Sequence, residues 1–497
     1  MRFQRYCGEI KPRNPLFLGT YYVVPPFDFI QRMTRKANRQ CLNYRYSQIN
    51  EFAMWYEIIY RVLSILNYVA IVLFGVPLLL QIIEVLVSLF HKKVKFPKSD
   101  KKARIAYLIP ARNEEDVIFD SVDDLIKTQK YPRELFDVYV VANNCTDETA
   151  ERAKKAGAIV LILDDPDPAH HMAAYPLKYG VDYILKNDPT AELIIHLDAD
   201  NHINHEFSSL MNDAYQSGVD FARPYEGGLN GTQNFFTKAC AYFYAFDSRF
   251  GGRGKEVMRL SAHVNGAGAT MSRRMLLETG GYDCHTISDD TEFSFNRILE
   301  GRKAHMVEEA VVYEDMPSSG AVTAGRNARI AKGNKILFKT KTIKMLLLFF
   351  KTGNFSYLET FLTYIWIFIG GPMFIWFAAY YVYFFLFAGF AMNGALELKM
   401  FSEAYFSSVL WNTIWAMIGV AGTLYFLFGI VQVLIFALKE YDKFGAKSRW
   451  EFIPMVLLFP VYLIVYGFSM MAPPPKKKGW VKVKRNVISS PSKEKQQ

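Results

Sequence analysis

Cysteine is scarce in this 497-residue chain. The five present (Cys7, Cys41, Cys145, Cys240 and Cys284) show neither pairing nor metal-ligand spacing, which argues against a disulfide framework and for a reducing compartment. Charged residues make up only 21% of the chain, and 58 basic side chains outnumber 48 acidic ones. That excess does not form a nucleic-acid surface, because Lys and Arg gather beside apolar stretches, at 91–104, 332–351, 439–449 and 476–485. Such a distribution suits a cytoplasmic membrane face with anionic headgroups. No zinc site is expected either: His196, His202 and His205 sit on one strand and its turn, which would not converge them. Gly251, Gly252 and Gly254 lack the strand-to-helix context of a phosphate loop and read as a flexible loop.

Apolar residues are plentiful at 51%, with 40 Phe and 30 Tyr. Stretches at 58–90, 361–392, 409–438 and 452–472 are each long enough to cross a hydrocarbon layer about 30 Å thick. The first starts too far into the chain for a cleaved signal peptide and should be a retained anchor. Gly75 and Pro77 in the first, and Gly370, Gly371 and Pro372 in the second, suggest breaks or partly interfacial segments. Four spans would send two basic chain ends outside, against the positive-inside tendency, so span number and orientation stay open. The expected organisation is a basic segment (1–57), a transmembrane helix (58–90), a soluble domain (103–334), an interfacial amphipathic helix (335–352), about three further transmembrane helices (361–472) and a basic tail (473–497). The alternative for 335–352 is the basic flank of the next span. Tyr364, Trp366, Trp376, Tyr380, Tyr381 and Tyr383 fit an aromatic belt better than a sugar-stacking track.

Within the soluble domain the pattern alternates. Strands are predicted at 105–109, 136–141, 158–163 and 192–197, with helices at 114–128, from about 147, and at 175–186. Alternation of this kind predicts an α/β fold, a doubly wound and mostly parallel sheet inserted between transmembrane helices, with ligands at the carboxyl ends of the strands. Three polar clusters fall on that edge: ARNEE after the first strand, ANNCTDET after the second and DADN after the fourth. Asp198 and Asp200 suit a divalent cation, Mg²⁺ or Mn²⁺, whose remaining ligands are water and phosphate oxygens. The implied ligand carries a nucleoside diphosphate. Downstream, SDDTEF begins a predicted helix with Asp289, Asp290 and Glu292, and AGRNARIAKGN carries Arg326, Arg329 and Lys332 at helical spacing. Capping and a solvated basic face are the ordinary accounts of these two segments; beside a phosphate site, the arginines supply counter-charge.

The ordered set PARNEE, ANNCTD, LDADN, VNGAGATMSRR, SDDTEF and RNARIAKG over residues 105–334 resembles family 2 inverting glycosyltransferases of the GT-A fold. It is most similar to their membrane-embedded branch, the cellulose, hyaluronan and poly-N-acetylglucosamine synthases. The resemblance implies roles for individual residues. Asp198 and Asp200 match the acids that bind the metal and donor diphosphate; Asp290 matches the general base. Arg326 and Arg329 match a basic motif that braces the diphosphate. Pro110, Ala111 and Glu114 match the nucleotide pocket, with Asn143 beside the base. Asn265 and Gly266, with Asp289, match the acceptor side.

Three positions depart from the family pattern. Asn143 stands where an Asp is usual, Ala173 where a Lys is frequent with Lys178 nearby, and Ile330 where a Trp helps hold a growing chain. The resemblance implies transfer of a hexose from a nucleotide sugar, UDP-linked by expectation, to a growing polysaccharide such as a capsule, with export through the spans as an option. Ile330 favours the alternative of single-sugar transfer to a lipid carrier or glycolipid. A catalytically silent nucleotide-sugar sensor or scaffold is the alternative of another class. The expected partners are thus a nucleotide-sugar donor, a polysaccharide or lipid-linked acceptor and membrane lipids, with no nucleic acid.

Overall fold

In this computed structural model the described residues are 27–167, 170, 172–392, 403–459, 461–462 and 465. The basic tail, residues 1–26 of the basic N-terminal segment and just under half of the expected 452–472 span lie outside them. The chain forms two compact units, Met1–Val72 with Met373–Val420, and Leu73–Pro372 with Ala421–Gln497. In the smaller unit the rings of Tyr60 and Phe384 stack at 6.2 Å, and the Ser64 and Tyr380 hydroxyls lie 3.1 Å apart. The larger unit carries the sheet.

Its eight strands are β1 (Ile105–Ala111), β2 (Phe136–Asn143), β3 (Ile159–Leu163), β4 (Leu193–His196), β5 (His202–Ile203), β6 (Phe221–Gly228), β7 (Thr270–Ser272) and β8 (His305–Glu314), in the order β3-β2-β1-β4-β7-β6-β8-β5. β1 is buried along its whole length, as a continuous apolar run covered on both faces must be. β1, β2, β3 and β4 pair in parallel, with Ala111 opposite Ala142 and Leu108 opposite His196. The carboxyl ends of three strands that precede polar clusters therefore share one edge.

The sheet is mixed, with four of its seven pairings parallel. β7 runs antiparallel to β4 and to β6, and β5 antiparallel to β8, while β6 and β8 are parallel. These strands leave a weak trace in the sequence. β7 has three residues, β5 has two, and β6 is interrupted by Pro224, where its register against β8 shifts. Proline cannot donate to the ladder and accompanies such irregularities.

Helices cover both faces. On one, α2 (Ile118–Thr128) and α5 (Phe207–Gln216) bury Ile118, Val122, Phe207 and Met211 against Tyr107 and Ile109; on the other, α4 (Ala174–Asn187) buries Leu177, Val181 and Ile184 against Leu108 and Val141. The period-2 alternation along β1 sends Leu108 to one face and Tyr107 and Ile109 to the other. α3 (Thr149–Lys155) follows β2.

The apolar stretches behave differently from one another. α1 (Phe27–Phe90) and a later helix, Phe355–Met392, run through Pro77 and Pro372 without the breaks anticipated there. Among the described residues, Ile58–Phe90 is the one helical stretch long and apolar enough to cross a membrane. Insertion of the domain between several transmembrane helices therefore stays an expectation. The end of the 409–438 stretch is packed instead: in the helix Gln432–Lys439, Val433, Phe436 and Ala437 are buried with Tyr242, Phe452 and Phe459. Tyr364 is likewise buried, its ring 4.4 Å from that of Phe295, so it is a packing residue.

Gly180 marks the closest approach of α4 to the sheet. A Cβ there would lie 2.3 Å from Leu108 Cδ1, and close-packed interiors absorb such overlap only by side-chain and backbone shifts. Gly180→Ala is expected to cost about 1–3 kcal/mol and lower the melting temperature of the purified protein by several degrees. An unchanged melting temperature would mean this contact is loose.

Candidate functional site

The strand-end edge is assembled by main-chain and short polar contacts. After β4, the Asn201 carboxamide accepts from Asp198 N (2.9 Å), and Asn201 N donates to Asp198 O (3.1 Å). The Ser121 hydroxyl on α2 donates to Ala199 O at 2.7 Å. These bonds fix the turn that carries Asp198, partly exposed, and Asp200, 8% exposed. The loops after β1 and β2 are tied together by Thr146 N donating to Asn113 Oδ1 (2.8 Å) and Glu114 N to Thr149 Oγ1 (2.9 Å). Asn113 and Asn144 both hold positive φ, 57° and 47°, a conformation that Asn tolerates better than most residues.

Pro110, Ala111 and Glu114 are buried at the end of β1 and just beyond it. Asn143 ends β2 fully buried, and neither its carboxamide oxygen nor its nitrogen finds a partner among the described residues. A buried amide without partners costs on the order of 1–3 kcal/mol, so this orphaned edge is suited to a ligand that supplies them.

The segment VNGAGA (264–269) is latched to the same edge. Gly268 N donates to His196 O (2.8 Å), His196 N to Ala269 O (3.0 Å) and Ala269 N to Gly266 O (3.0 Å). Gly266 has φ +97°, and a Cβ built on it would sit 3.4 Å from Asp290 Oδ2. This short path carries the chain from Asp198 to Asp290. Asn265 donates to Glu226 (3.2 Å) and Asp247 (3.1 Å), within a network that also holds Arg223.

Asp289 and Asp290 open α9 (Asp289–Leu299) and differ in environment. Asp289 is 8% exposed and accepts from the Tyr282 hydroxyl at 2.9 Å; Asp290 is half-buried and accepts from Thr291 N at 2.6 Å. Burial raises Asp290 above the ordinary carboxylate range, and burial with the neighbouring Asp290 charge raises Asp289 to about 7. Glu292 turns back to the preceding loop, accepting from His285 N (2.9 Å) and Thr286 N (2.8 Å).

The two arginines lie on α10 (Gly320–Leu337). Arg326 donates to the Tyr244 hydroxyl and lies 3.8 Å from Glu314. Arg329 is exposed and has no ion pair among the described residues; its charge acts on Asp198, Asp290 and Asp289. α10 approaches α9 closely at Gly333, where a Cβ would meet Ser288 Oγ at 2.1 Å.

Glu314, at the end of β8, had no place among the sequence-derived site residues. Burial, with the like charge of Glu226 nearby, raises it to about 8, and Asp198 and Asp200 act on it in the same direction. Its one available signal was the acidic end of VVYED, which follows a strand like the other clusters. His196 was set aside as a zinc ligand, and the three histidines do diverge: His202 pairs with Asp124 at 2.7 Å and His205 with Thr128 O at 2.9 Å. His196 stays beside the cleft, 3.5 Å from Asp198; burial opposes its charge, but Asp198, Asp289 and Asp290 prevail and raise its pKa.

Among the described residues no three His, Cys, Asp or Glu side chains form a self-sufficient metal cluster. Asp198 and Asp200 provide two hard oxygen donors on one turn, a donor set that suits a cation completed by phosphate and water.

The chain is similar to several known proteins. Residues 193–392, starting at β4 and including Asp198, Asp200, Asp290 and Arg329, match the family model described as glycosyl transferase family group 2. A curated relative, the probable glycosyltransferase YdaM of Bacillus subtilis, is 24% identical over 286 residues, which is 54% of this chain and 64% of that protein. The chain thus spans just under two thirds of that relative. Among solved structures, the mannosyltransferase PcManGT from Pyrobaculum calidifontis, in complex with GDP-Man and Mn²⁺, aligns with TM-score 0.46 and 15% identity, covering 84% of this chain and 99% of that one. S. aureus TarS 1–349 aligns at TM-score 0.35 and 14% identity, covering 49% and 65%.

Two outcomes test this geometry. Gly333→Ala should push α10 from α9 and disturb Arg329 relative to Asp290, lowering turnover more than thermal stability; equal loss of both would make Gly333 a packing residue only. Glu314 has a raised pKa in the fold, so its protonated form is favoured there, and its contribution to stability is present below about pH 4.5 and lost as pH rises through about 8. Glu314→Gln should therefore raise the melting temperature of ligand-free protein at pH 8 and leave it nearly unchanged at pH 5.

Proposed function

We propose that the protein is a membrane-bound, metal-dependent inverting glycosyltransferase that moves a hexose from a nucleotide sugar, most simply a UDP-sugar, to a growing polysaccharide. The observation that carries this reading is the approach of Asp290 to Gly266, on the loop latched to the strand that delivers Asp198, with Arg329 acting on both acids.

The chemistry follows from these positions. Asn143 offers its unpaired carboxamide to a base edge, while Pro110, Ala111 and Glu114 shape the start of the nucleotide pocket. Asp198 and Asp200 would hold the cation, which would supply Lewis-acid neutralisation of the donor diphosphate. Asp290, the less enclosed of the paired acids, accepts the proton of the acceptor hydroxyl. The hydroxyl oxygen bonds to the anomeric carbon as the bond from that carbon to the diphosphate breaks, and the electron pair leaves with the diphosphate. Arg329 stabilises that developing charge. Arg326, tied to Tyr244 and Glu314, orients this end of α10. Asn265 and Gly266 border the acceptor side, with Asp289 as the inward neighbour of the base. Asp290 acting as base, with Asp198 and Asp200 assigned to the cation, implies a single displacement.

Membrane attachment is supported by the apolar stretch Ile58–Phe90. The helix Ile343–Thr352 supports it too: its one buried residue, Met345, faces the domain core, while Ile343, Leu347 and Phe350 are 56–76% exposed among lysines. Such a face suits the headgroup layer, with the site on the cytosolic side. The second reading, transfer of one sugar to a lipid carrier, is favoured by Ile330.

Asp290→Asn is expected to lower donor-dependent transfer by about 10² to 10⁴ with the fold intact. Released nucleotide, measured with UDP- and GDP-sugars and with Mg²⁺, Mn²⁺ or chelator, should require a metal. Turnover unaffected by Asp290→Asn removes the proposed base, and no turnover with any donor favours the sensor. Product length separates the polymer from the single-sugar product.

A further inference from the structure

A cavity of about 370 Å³ lies apart from the donor cleft, where α1 ends. His91 and Lys92, the first residues after the apolar stretch, form one side of it; Arg259, Lys303 and Glu256 form another. The lining is cationic in excess of its own counter-charge. Glu256 is already shared among Lys303 (3.2 Å), His305 Nδ1 (3.0 Å) and Met306 N (3.1 Å). The side chains of Lys92 and Arg259 have no ion pair or hydrogen bond among the described residues, whereas the nearby Lys93 and Lys95 are paired with Glu309 at 2.7 and 3.0 Å.

Arg259 is also held in an unusual backbone state. Its φ is +59°, in a turn closed by Leu260 N donating to Lys255 O at 2.8 Å. A non-glycine residue in this region is uncommon. The turn sets the exposed guanidinium at the cavity.

A second observation identifies what would bring the anion. Along the end of α1, Leu79, Ile83, Leu86 and Phe90 are exposed, Phe90 by 82%. Their spacing of four, three and four residues makes one stripe on the helix that runs to His91. Apolar surface leading into unpaired cations matches an amphiphile with an anionic head. A free phosphate ion would use the cations and leave the stripe exposed.

We infer that this cavity binds the phosphate of an anionic glycerophospholipid, whose chains lie along the exposed stripe of α1. The inference rests on the membrane reading above. Lys92 and Arg259 supply the charge, with Lys303 as a donor beside them. Headgroup phosphates lie at the level where a span leaves the hydrocarbon layer, and basic side chains there favour acidic lipids.

The test uses the full chain, delipidated in detergent and titrated with phosphatidylglycerol or phosphatidylcholine while bound lipid is read by native mass spectrometry. Wild-type protein should prefer phosphatidylglycerol by about tenfold or more. The double variant K92Q/R259Q should lose most of that preference while keeping its melting temperature, and Lys98→Gln, a control at an exposed lysine outside the cavity, should retain it. An equal preference in wild type and double variant overturns the inference. So does displacement of the lipid by millimolar inorganic phosphate, which would make the site one for a free anion. Should the double variant unfold, the single R259Q variant must still lower the preference severalfold, and an unchanged value overturns the inference. Carbonate extraction of the wild type from membranes tests the underlying reading separately. Release into the soluble fraction defeats the membrane attachment and the lipid site together; retention with an unchanged variant defeats the lipid site alone.

Discussion

The candidate site depends on a gathering of acidic side chains whose like charges and burial raise the pKa of several of them. Asp198, Asp200, Asp289, Asp290 and Glu314 are gathered near Arg326, Arg329 and His196, and Arg326 is already engaged with Tyr244 and Glu314. Burying like charges is costly unless protons or counter-ions relieve them. The upward shifts at Glu314 and Asp289 express that cost. The proposed cation-bearing diphosphate would relieve it in another way, by bringing positive charge to the strand-end acids and giving Arg329 an anion.

The fold makes this gathering possible by joining two kinds of pairing. Parallel β1, β2 and β4 align their carboxyl ends, which fixes Asn143 and the Asp198 turn relative to one another. The antiparallel β7 then returns the chain along β4, so the NGAGA segment is bonded to the residue two before Asp198 and brings Gly266 against Asp290. A purely parallel sheet would leave α9 without that tether. Glycine is needed at 266 for its left-handed backbone and at 333 for the close contact of α10 with Ser288.

Much of the first half of the sheet was legible in the sequence. IAYLI, FDVYVV, AIVLIL and ELIIHL are apolar runs long enough to stand out between helical stretches, and they became β1 to β4 within a few residues at each end. The polar clusters after them are visible because Asn and Asp at strand ends break the pattern. β5, β6 and β7 were not legible: two or three residues have no periodicity, and Pro224 disguises β6. Glu314 was hidden among ordinary turn acids, and its meaning comes from where β8 ends in space. The destination of the late apolar residues was equally hidden, since Phe436 and Phe452 pack against one another by the same hydrophobic effect that would place them in lipid. Composition does not distinguish the two surroundings.

The central claim is that a single carboxylate, Asp290, activates the acceptor opposite a metal-held diphosphate, so that the sugar moves in one displacement. Stereochemistry tests it most directly. With an α-linked nucleotide sugar accepted by the purified protein, proton NMR of the product should show a β-configured anomeric centre from the earliest time points. A product that keeps the α configuration would require a second nucleophile or a different path, and would contradict the account.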